Sequence, residues 1–132
     1  MTARACPVAL HPDGGVLRIA AFRHPLAGLQ IPKGRIEPGE DATRAAAREL
    51  FEETGLETVA AVPMGSTQIT DQEWHFALCR VKPPVRDQWR HLCADDGGHL
   101  FDCFWQPLDA DTEGFAAPFQ QALSWIAAEL AT

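Results

Sequence analysis

Alternating apolar and polar residues predict that most of this chain forms short β-strands. Residues 74–81 are typical of a half-buried strand, and Asp-Asp-Gly-Gly at 95–98 predicts a turn between two further strands. Pro63 and Gly65 interrupt another apolar stretch, which is therefore expected to form two short pieces joined by a bend. The predicted strands are, in chain order, residues 3–10, 16–23, 57–70 in two pieces, 74–81, 89–94 and 100–105.

Two segments have the periodicity of amphipathic helices. Residues 42–54 contain neither Pro nor Gly, and Asp41 before them and Gly55 after them are good capping residues. A second helix is expected to begin near Pro118, because proline is favoured in a first helical turn. The predicted apolar stripes are Ala46, Ala47, Leu50 and Phe51 in the first helix and Phe119, Leu123, Ile126, Ala127 and Leu130 in the second.

Strands on both sides of a central helix, followed by a closing helix, predict one α/β (α+β) domain over residues 1–132. The expected architecture is an α/β/α sandwich around a mixed β-sheet. A chain of 132 residues is long enough to bury one core of its own.

The charge balance narrows the range of functions that this fold could carry. The chain has 11 Lys and Arg against 18 Asp and Glu, a net charge of −7, which argues against stable nucleic-acid binding and a membrane-surface role. Its 4 cysteines lack Cys-x-x-Cys spacing and are expected to be buried, reduced thiols, which indicates a reducing compartment. The sequence shows neither a signal peptide nor a transmembrane run, so we expect a cytoplasmic location. The sequence leaves open whether the protein forms a homodimer.

Three carboxylates on the first helix indicate metal chemistry. Glu49, Glu52 and Glu53 are spaced i, i+3 and i+4, which places them on one side of the helix. Only Arg48 is well placed along the helix to pair with them. Clustered oxygen donors with too few cations predict a site for a hard divalent ion, Mg²⁺ or Mn²⁺. The alternative interpretation is a solvated acidic face.

The residues around these glutamates fit the pattern G-x5-E-x7-R-E-U-x-E-E-x-G-U without a gap, where U is a bulky apolar residue. This pattern is the Nudix box, and the chain resembles the Nudix hydrolase family, whose architecture agrees with the predicted one. The match makes a merely solvated acidic face much less favoured. The matching residues are Gly34, Glu40, Arg48, Glu49, Leu50, Glu52, Glu53, Gly55 and Leu56.

The resemblance implies a hydrolase in which water attacks a phosphorus of a nucleoside diphosphate linked to another moiety. It implies that Gly34, through its carbonyl, and Glu49 and Glu53 are the principal metal ligands. Glu52 is either a further ligand or the base, and Arg48 is expected to orient the glutamates. Many members of the family recruit a further acidic residue from a later loop, and whether one joins the site in this chain is left open. The sequence does not choose among the candidates, which are Asp95, Asp96, Asp109, Asp111 and Glu113.

Three residues outside the helix are candidate substrate contacts. Arg23 ends the second predicted strand and is interpreted either as a phosphate contact or as a solvated charge. Lys33 is well placed for phosphate, and its Pro-Lys-Gly sequence is similar to that of the branch acting on diadenosine and inositol polyphosphates. Trp74 has two interpretations, stacking on a base or ordinary packing in the core, and the second is favoured.

Residues outside the box that distinguish the branches of the Nudix family are mostly missing from this chain. Asp71 stands where ADP-ribose enzymes have a proline, and the chain has no Tyr, which marks many diadenosine-polyphosphate hydrolases. Lys33 and Arg23 favour a nucleoside or dinucleoside polyphosphate as substrate. The alternatives are an ADP-ribose or nucleotide-sugar pyrophosphatase and a non-catalytic Nudix-fold nucleotide-binding domain. Because the box keeps all of its glutamates, we favour the enzyme.

Overall fold

A mixed, eight-stranded β-sheet forms the middle layer of this protein. The computed structural model describes residues 2–132, with the exception of the side chain of Asp96. The described strands are β1 (Thr2–Asp13), β2 (Val16–His24), β3 (Gly28–Gln30), β4 (Gly34–Arg35), β5 (Thr58–Ile69), β6 (Gln72–Val81), β7 (Gln88–Cys93) and β8 (His99–Pro107). The helices are α1 (Ala42–Thr54) and α2 (Ala117–Leu130), with a short 3₁₀ helix at Asp95–Gly97.

The sheet is split along its middle. Its strand order is β5-β6-β1-β2-β8-β7, and β1 and β6 run parallel. Strands β1 and β2 pair near their hairpin turn, from Leu10 opposite Ile19 to Asp13 opposite Val16. Beyond that point β4 pairs with β1 and β3 pairs with β2. The segment 28–35 therefore runs between the two halves of the sheet.

One helix packs on each face of the sheet. Because successive residues of a strand face opposite sides, Ala5 and Ala9 of β1 join the core cluster under α1, whereas Cys6 and Val8 join the one under α2. The α1 cluster is rich in alanine, while the α2 cluster contains large residues such as Trp74. The predicted α/β/α sandwich around a mixed sheet is confirmed.

Helix α1 begins and ends where its caps predict. The side chain of Asp41 accepts a hydrogen bond from the N–H of Arg44 at 2.8 Å. Gly55 adopts the left-handed conformation, with φ of 79°, and donates its N–H to the carbonyl of Phe51. Helix α2 likewise carries Pro118 in its first turn.

The strands differ from the prediction in two places. Strand β5 is continuous rather than two pieces, because an irregularity in its pairing with β6 accommodates Pro63 and Gly65. An edge strand tolerates such an interruption, and β5 is at the edge of the sheet. The short strands β3 and β4 were not predicted, since two or three residues show no periodicity.

The apolar stripe of α1 is rotated from its predicted position. Ala45, Ala46 and Leu50 are fully buried, whereas Phe51 is 52% exposed. The rotation brings Glu49, which is 7% exposed, into the buried side of the helix. The face of α1 that meets the sheet thus includes a carboxylate.

The four cysteines are free and buried, as predicted, and burial raises the pKa of each thiol.

Within residues 2–132, no helix is long and apolar enough to cross a membrane.

Leu50→Ala should lower the free energy of unfolding by about 2–5 kcal/mol, because it opens a cavity under α1. Phe51→Ala, one residue further along the helix, should cost less than about 1 kcal/mol because most of its ring already faces solvent. Urea denaturation of the two variants measures the difference. Equal losses would show that Phe51 belongs to the core.

Candidate active site

The glutamates of α1 line one cleft beside the segment that leads into the helix. The cleft has a volume of about 730 Å³ and is bounded by that segment, by α1 and by the 3₁₀ helix after β7. Its charged lining residues are Lys33, Arg35, Glu37, Arg48, Glu49, Glu52, Glu53 and Asp95.

The guanidinium of Arg48 connects the carboxylates of this cleft. Its Nε and Nη2 donate to the two oxygens of Glu40 at 2.8 and 2.9 Å. Its Nη1 donates to Glu49 at 2.8 Å and to both oxygens of Glu52 at 3.3 Å. Nη2 also donates to the carbonyl of Arg35 at 2.8 Å. The hydrogen bonds from Arg48, followed by one from the N–H of Glu37, lower the pKa of Glu40 to about 2. Arg48 thereby ties the loop before α1 to the helix.

Glu49 lies at the floor of the cleft, against Gly34. A Cβ atom on Gly34 would overlap the carboxyl group of Glu49, so any other residue at this position would displace that carboxylate from where it now lies. Burial raises the pKa of Glu49 to about 7, although the hydrogen bond from Arg48 acts in the opposite direction.

Glu53 is held by the backbone of the entry segment. The N–H of Lys33 donates to its Oε1 at 3.0 Å. Burial, and then the charge of Glu49, raises the pKa of Glu53 well above its usual value. Burial is thus the main cause of the raised pKa values of both carboxyl groups. The cleft is also lined by more acidic than basic side chains, so its own cations do not balance its negative charge.

The donor set fits a hard divalent ion such as Mg²⁺ or Mn²⁺. Carboxylates and a backbone carbonyl are the ligands that these ions prefer. Among the described side chains, no three acidic, His or Cys groups are already arranged to hold a metal. Oxygens of Glu49, Glu52 and Glu53 instead accept hydrogen bonds from Arg48 and from the Lys33 backbone. A bound cation would relieve the repulsion between Glu49 and Glu53.

Among the candidate loop acids whose side chains the structure describes, Asp95 lies at this cleft. It begins the 3₁₀ helix that follows β7, opposite the carboxylates of α1. Its charge contributes to the raised pKa values of Glu49 and Glu53. The sequence could not single it out, because the length and pairing of β7 decide where this turn lies.

The other candidate acids are placed differently. Asp109 lines a separate groove beside α2. Asp111 accepts a hydrogen bond from the N–H of Glu113 at 2.9 Å, within the loop before α2. The side chain of Asp96 lies outside the described residues.

Lys33 lines the carboxylate cleft, and its ammonium lies over two aromatic rings. Its Nζ is 5.4 Å from the ring centroid of Trp74 and 5.8 Å from that of Phe119, distances typical of cation–π contacts. Burial, followed by repulsion from Arg4, lowers the pKa of Lys33.

The stacking role considered for Trp74 is corrected by its position. Trp74 is 1% exposed and packs edge-on against Phe119, with ring centroids 5.8 Å apart. Its Nε1 donates to the side chain of Gln72 at 3.2 Å. No ring face is left for a base, and Trp74 packs in the core under α2.

Arg23 lies on a second cleft rather than with the carboxylates. This cleft of about 690 Å³ is formed on β7 and β8, and Arg90 and Asp102 also line it. The two clefts share no lining residue. A substrate contact at Arg23 would therefore require a ligand that extends beyond the carboxylate cleft.

Comparison with known proteins agrees with the motif. The family model described as NUDIX domain matches residues 1–124. The RNA pyrophosphohydrolase of Brucella ovis is 34% identical over 110 residues, which cover 70% of this chain and 61% of that protein. The chain thus spans 61% of the length of this relative.

Solved structures show the same fold. An Ap4A hydrolase from C. elegans superposes with a TM-score of 0.67 at 20% identity, covering 97% of this chain and 98% of that one. The NUDIX domain of Shewanella oneidensis NrtR, complexed with ADP ribose, superposes with a TM-score of 0.71 at 14% identity, covering 98% and 88%.

In the absence of metal, the protein should lose stability as the pH rises. The pKa of Glu49 is raised from 4.5 to about 7 in the folded state. Its stabilising contribution is therefore complete below pH 4.5 and is lost as the pH rises through about 7. The variant Glu49→Gln serves as the reference, because glutamine does not titrate. The unfolding free energy of the wild type minus that of Glu49→Gln should fall by roughly 2–3 kcal/mol over this pH range. Urea denaturation in EDTA measures it, and a constant difference between the two proteins would contradict the raised pKa.

Proposed function

This chain belongs to the Nudix hydrolase family, and we propose that it is a metal-dependent pyrophosphohydrolase. Its substrate would be a nucleoside diphosphate linked to another moiety. The main support for the proposal is that the carboxyl group of Glu49 is buried against Gly34, beside the buried carboxyl group of Glu53. Two ionised carboxylates are unfavourable in such a place unless a cation binds between them.

The residues that would hold Mg²⁺ or Mn²⁺ are the carbonyl of Gly34 and the carboxylates of Glu49, Glu52 and Glu53. When bound, the ion would supply Lewis acidity and neutralise phosphate charge. Asp95, which also lines the cleft, would supply a further oxygen donor.

Of the three glutamates, Glu52 would act as the base in this proposal. Its side chain is 38% exposed, whereas that of Glu49 is 9% exposed, so Glu52 lies nearer the mouth where water enters. The contacts from Arg48 to Glu52 are also longer than its contact to Glu49, 3.3 Å against 2.8 Å. Arg48 would keep both carboxylates in position during the attack of water on phosphorus.

We further propose that the preferred substrate is a nucleoside or dinucleoside polyphosphate. Lys33 supports this preference, since it brings a half-buried ammonium to the cleft beside the carboxylates. Of the similar proteins, the Ap4A hydrolase is named for a dinucleoside polyphosphate, whereas the RNA pyrophosphohydrolase is named for RNA. The competing interpretation is an ADP-ribose or nucleotide-sugar substrate, in line with the ADP ribose bound to the NrtR domain.

The purified protein should cleave the phosphoanhydride of at least one nucleotide in Mg²⁺ or Mn²⁺, leaving a nucleoside phosphate as one product, with a rate that rises toward alkaline pH. Excess EDTA should abolish turnover, because the carboxylates alone cannot neutralise a phosphate. Separation of the nucleotide products by ion-exchange chromatography, over a panel of nucleotides, measures both effects.

Glu53→Gln is the matched variant for this test. It should lower kcat at least about 100-fold while the protein remains folded, because it removes a ligand together with one of the crowded charges. Full turnover in EDTA, or an unchanged kcat in Glu53→Gln, would refute a metal-dependent enzyme. Tight nucleotide binding without turnover would indicate a non-catalytic binding domain.

In a competition at equal concentrations, dNTPs or diadenosine polyphosphates should give a kcat/KM at least about tenfold above that of ADP-ribose. Lys33→Ala should raise KM for the polyphosphate more than it lowers kcat, because a phosphate contact strengthens substrate binding. Preference for ADP-ribose, with its turnover unaffected by Lys33→Ala, would overturn the substrate assignment and leave the hydrolase assignment intact.

A further inference from the structure

The last turn of α1, which carries Glu52 and Glu53, rests on strand β7. The carbonyl groups in the final turn of a helix lack partners within the helix and need donors from elsewhere. In this protein β7 supplies two such donors from its side chains, and they lie on the face of the strand that meets α1.

His91 is the first of these donors. Its Nε2 is 2.9 Å from the carbonyl oxygen of Glu52. A carbonyl oxygen only accepts hydrogen bonds, so Nε2 carries the proton in this contact. The partner is the backbone of a residue whose side chain lines the cleft, one peptide bond away from Glu53.

Trp89 is the second donor, two residues earlier on the same face of β7. Its Nε1 donates to the carbonyl of Thr54 at 2.7 Å. The neighbouring residues Arg90 and Leu92 are exposed and face the other side of the strand. Strand β7 thus presents alternate side chains to the end of α1.

Gly55 makes this close approach possible. A Cβ atom at Gly55 would lie 2.9 Å from Nδ1 of His91, and the φ of +79° there also disfavours any other residue. The glycine that ends the helix therefore has a second role in this chain, since it leaves space for the imidazole ring.

Strand β7 also leads directly to the other wall of the cleft. It ends at Cys93, and Asp95 begins the 3₁₀ helix that follows. One strand therefore contacts the turn that carries Glu52 and Glu53 and also fixes the position of Asp95. A change in how β7 holds α1 would change the separation of these acidic groups.

We propose that His91, assisted by Trp89, is a positioning residue that sets the last turn of α1 against Asp95 and so fixes the separation of the acidic groups. This inference rests on the proposed function of the cleft. His91 touches no reacting atom and acts through the carbonyl of Glu52.

The test compares His91→Leu, which loses the donor, with His91→Gln, whose side-chain amide can restore it. His91→Leu should lower kcat by about tenfold, the effect of losing one hydrogen bond of ordinary strength, with KM changed less than about twofold. His91→Gln should recover kcat to within about threefold of the wild type. Trp89→Phe, which loses the donor to Thr54, should change kcat in the same direction as His91→Leu.

Two measurements on the protein without substrate complete the test. Mn²⁺ titration followed by electron paramagnetic resonance should show weaker binding in His91→Leu than in the wild type. In metal-free protein, the amides of Gly55 and Leu56 should exchange with solvent faster in His91→Leu. Leu92→Gln, on the exposed face of β7, should match the wild type in both measurements and in kcat.

An unchanged kcat and Mn²⁺ affinity in His91→Leu would overturn the inference. Equal impairment of His91→Gln and His91→Leu would do so as well, because the hydrogen bond would then not be the cause. If the wild type itself shows no turnover, the proposed function fails, and the Mn²⁺ and exchange measurements still decide whether His91 positions the turn.

Discussion

Repulsion among carboxylates that share one cleft is the interaction on which the rest of this structure depends. Burial is the main cause of the raised pKa values of Glu49 and Glu53. Neighbouring carboxylates add to the effect, Glu52 and Asp95 at Glu49 and then Glu49 at Glu53. Arg48 offsets part of this charge, and the backbone N–H of Lys33 offsets another part. Groups held in such an unfavourable arrangement need rigid support from every side.

The split in the sheet supplies much of that support. Since β1 and β2 diverge beyond Leu10, the segment 28–35 can run between them and bring Gly34 against Glu49. The opposite wall comes from β7 and the turn after it, more than fifty residues later in the sequence. The cleft is therefore assembled by long-range strand pairing, although its acidic residues are carried mainly by one helix.

Local interactions explain which features the sequence could predict. Capping by Asp41 and Gly55 defines α1, and helical spacing alone places its three glutamates on one side. The positions of Trp74, Phe51 and Asp95 depend instead on strand register and on the rotation of α1, which are set by contacts across the whole chain. The burial of Glu49 is the clearest case, since a periodicity analysis assigns a carboxylate to the solvent side and thereby misplaces Phe51.

The alanine-rich contact between α1 and the sheet has a consequence for how relatives of this protein can diverge. Methyl groups of Ala5, Ala45 and Ala77 separate the helix from the strands beneath it. A bulkier residue at any of these positions would lift the helix and carry all of its carboxylates outward together. Two proteins with identical acidic residues would then differ in the width of their clefts. Substitutions in the interior can in this way change the width of an active-site cleft, although every residue that lines the cleft stays the same.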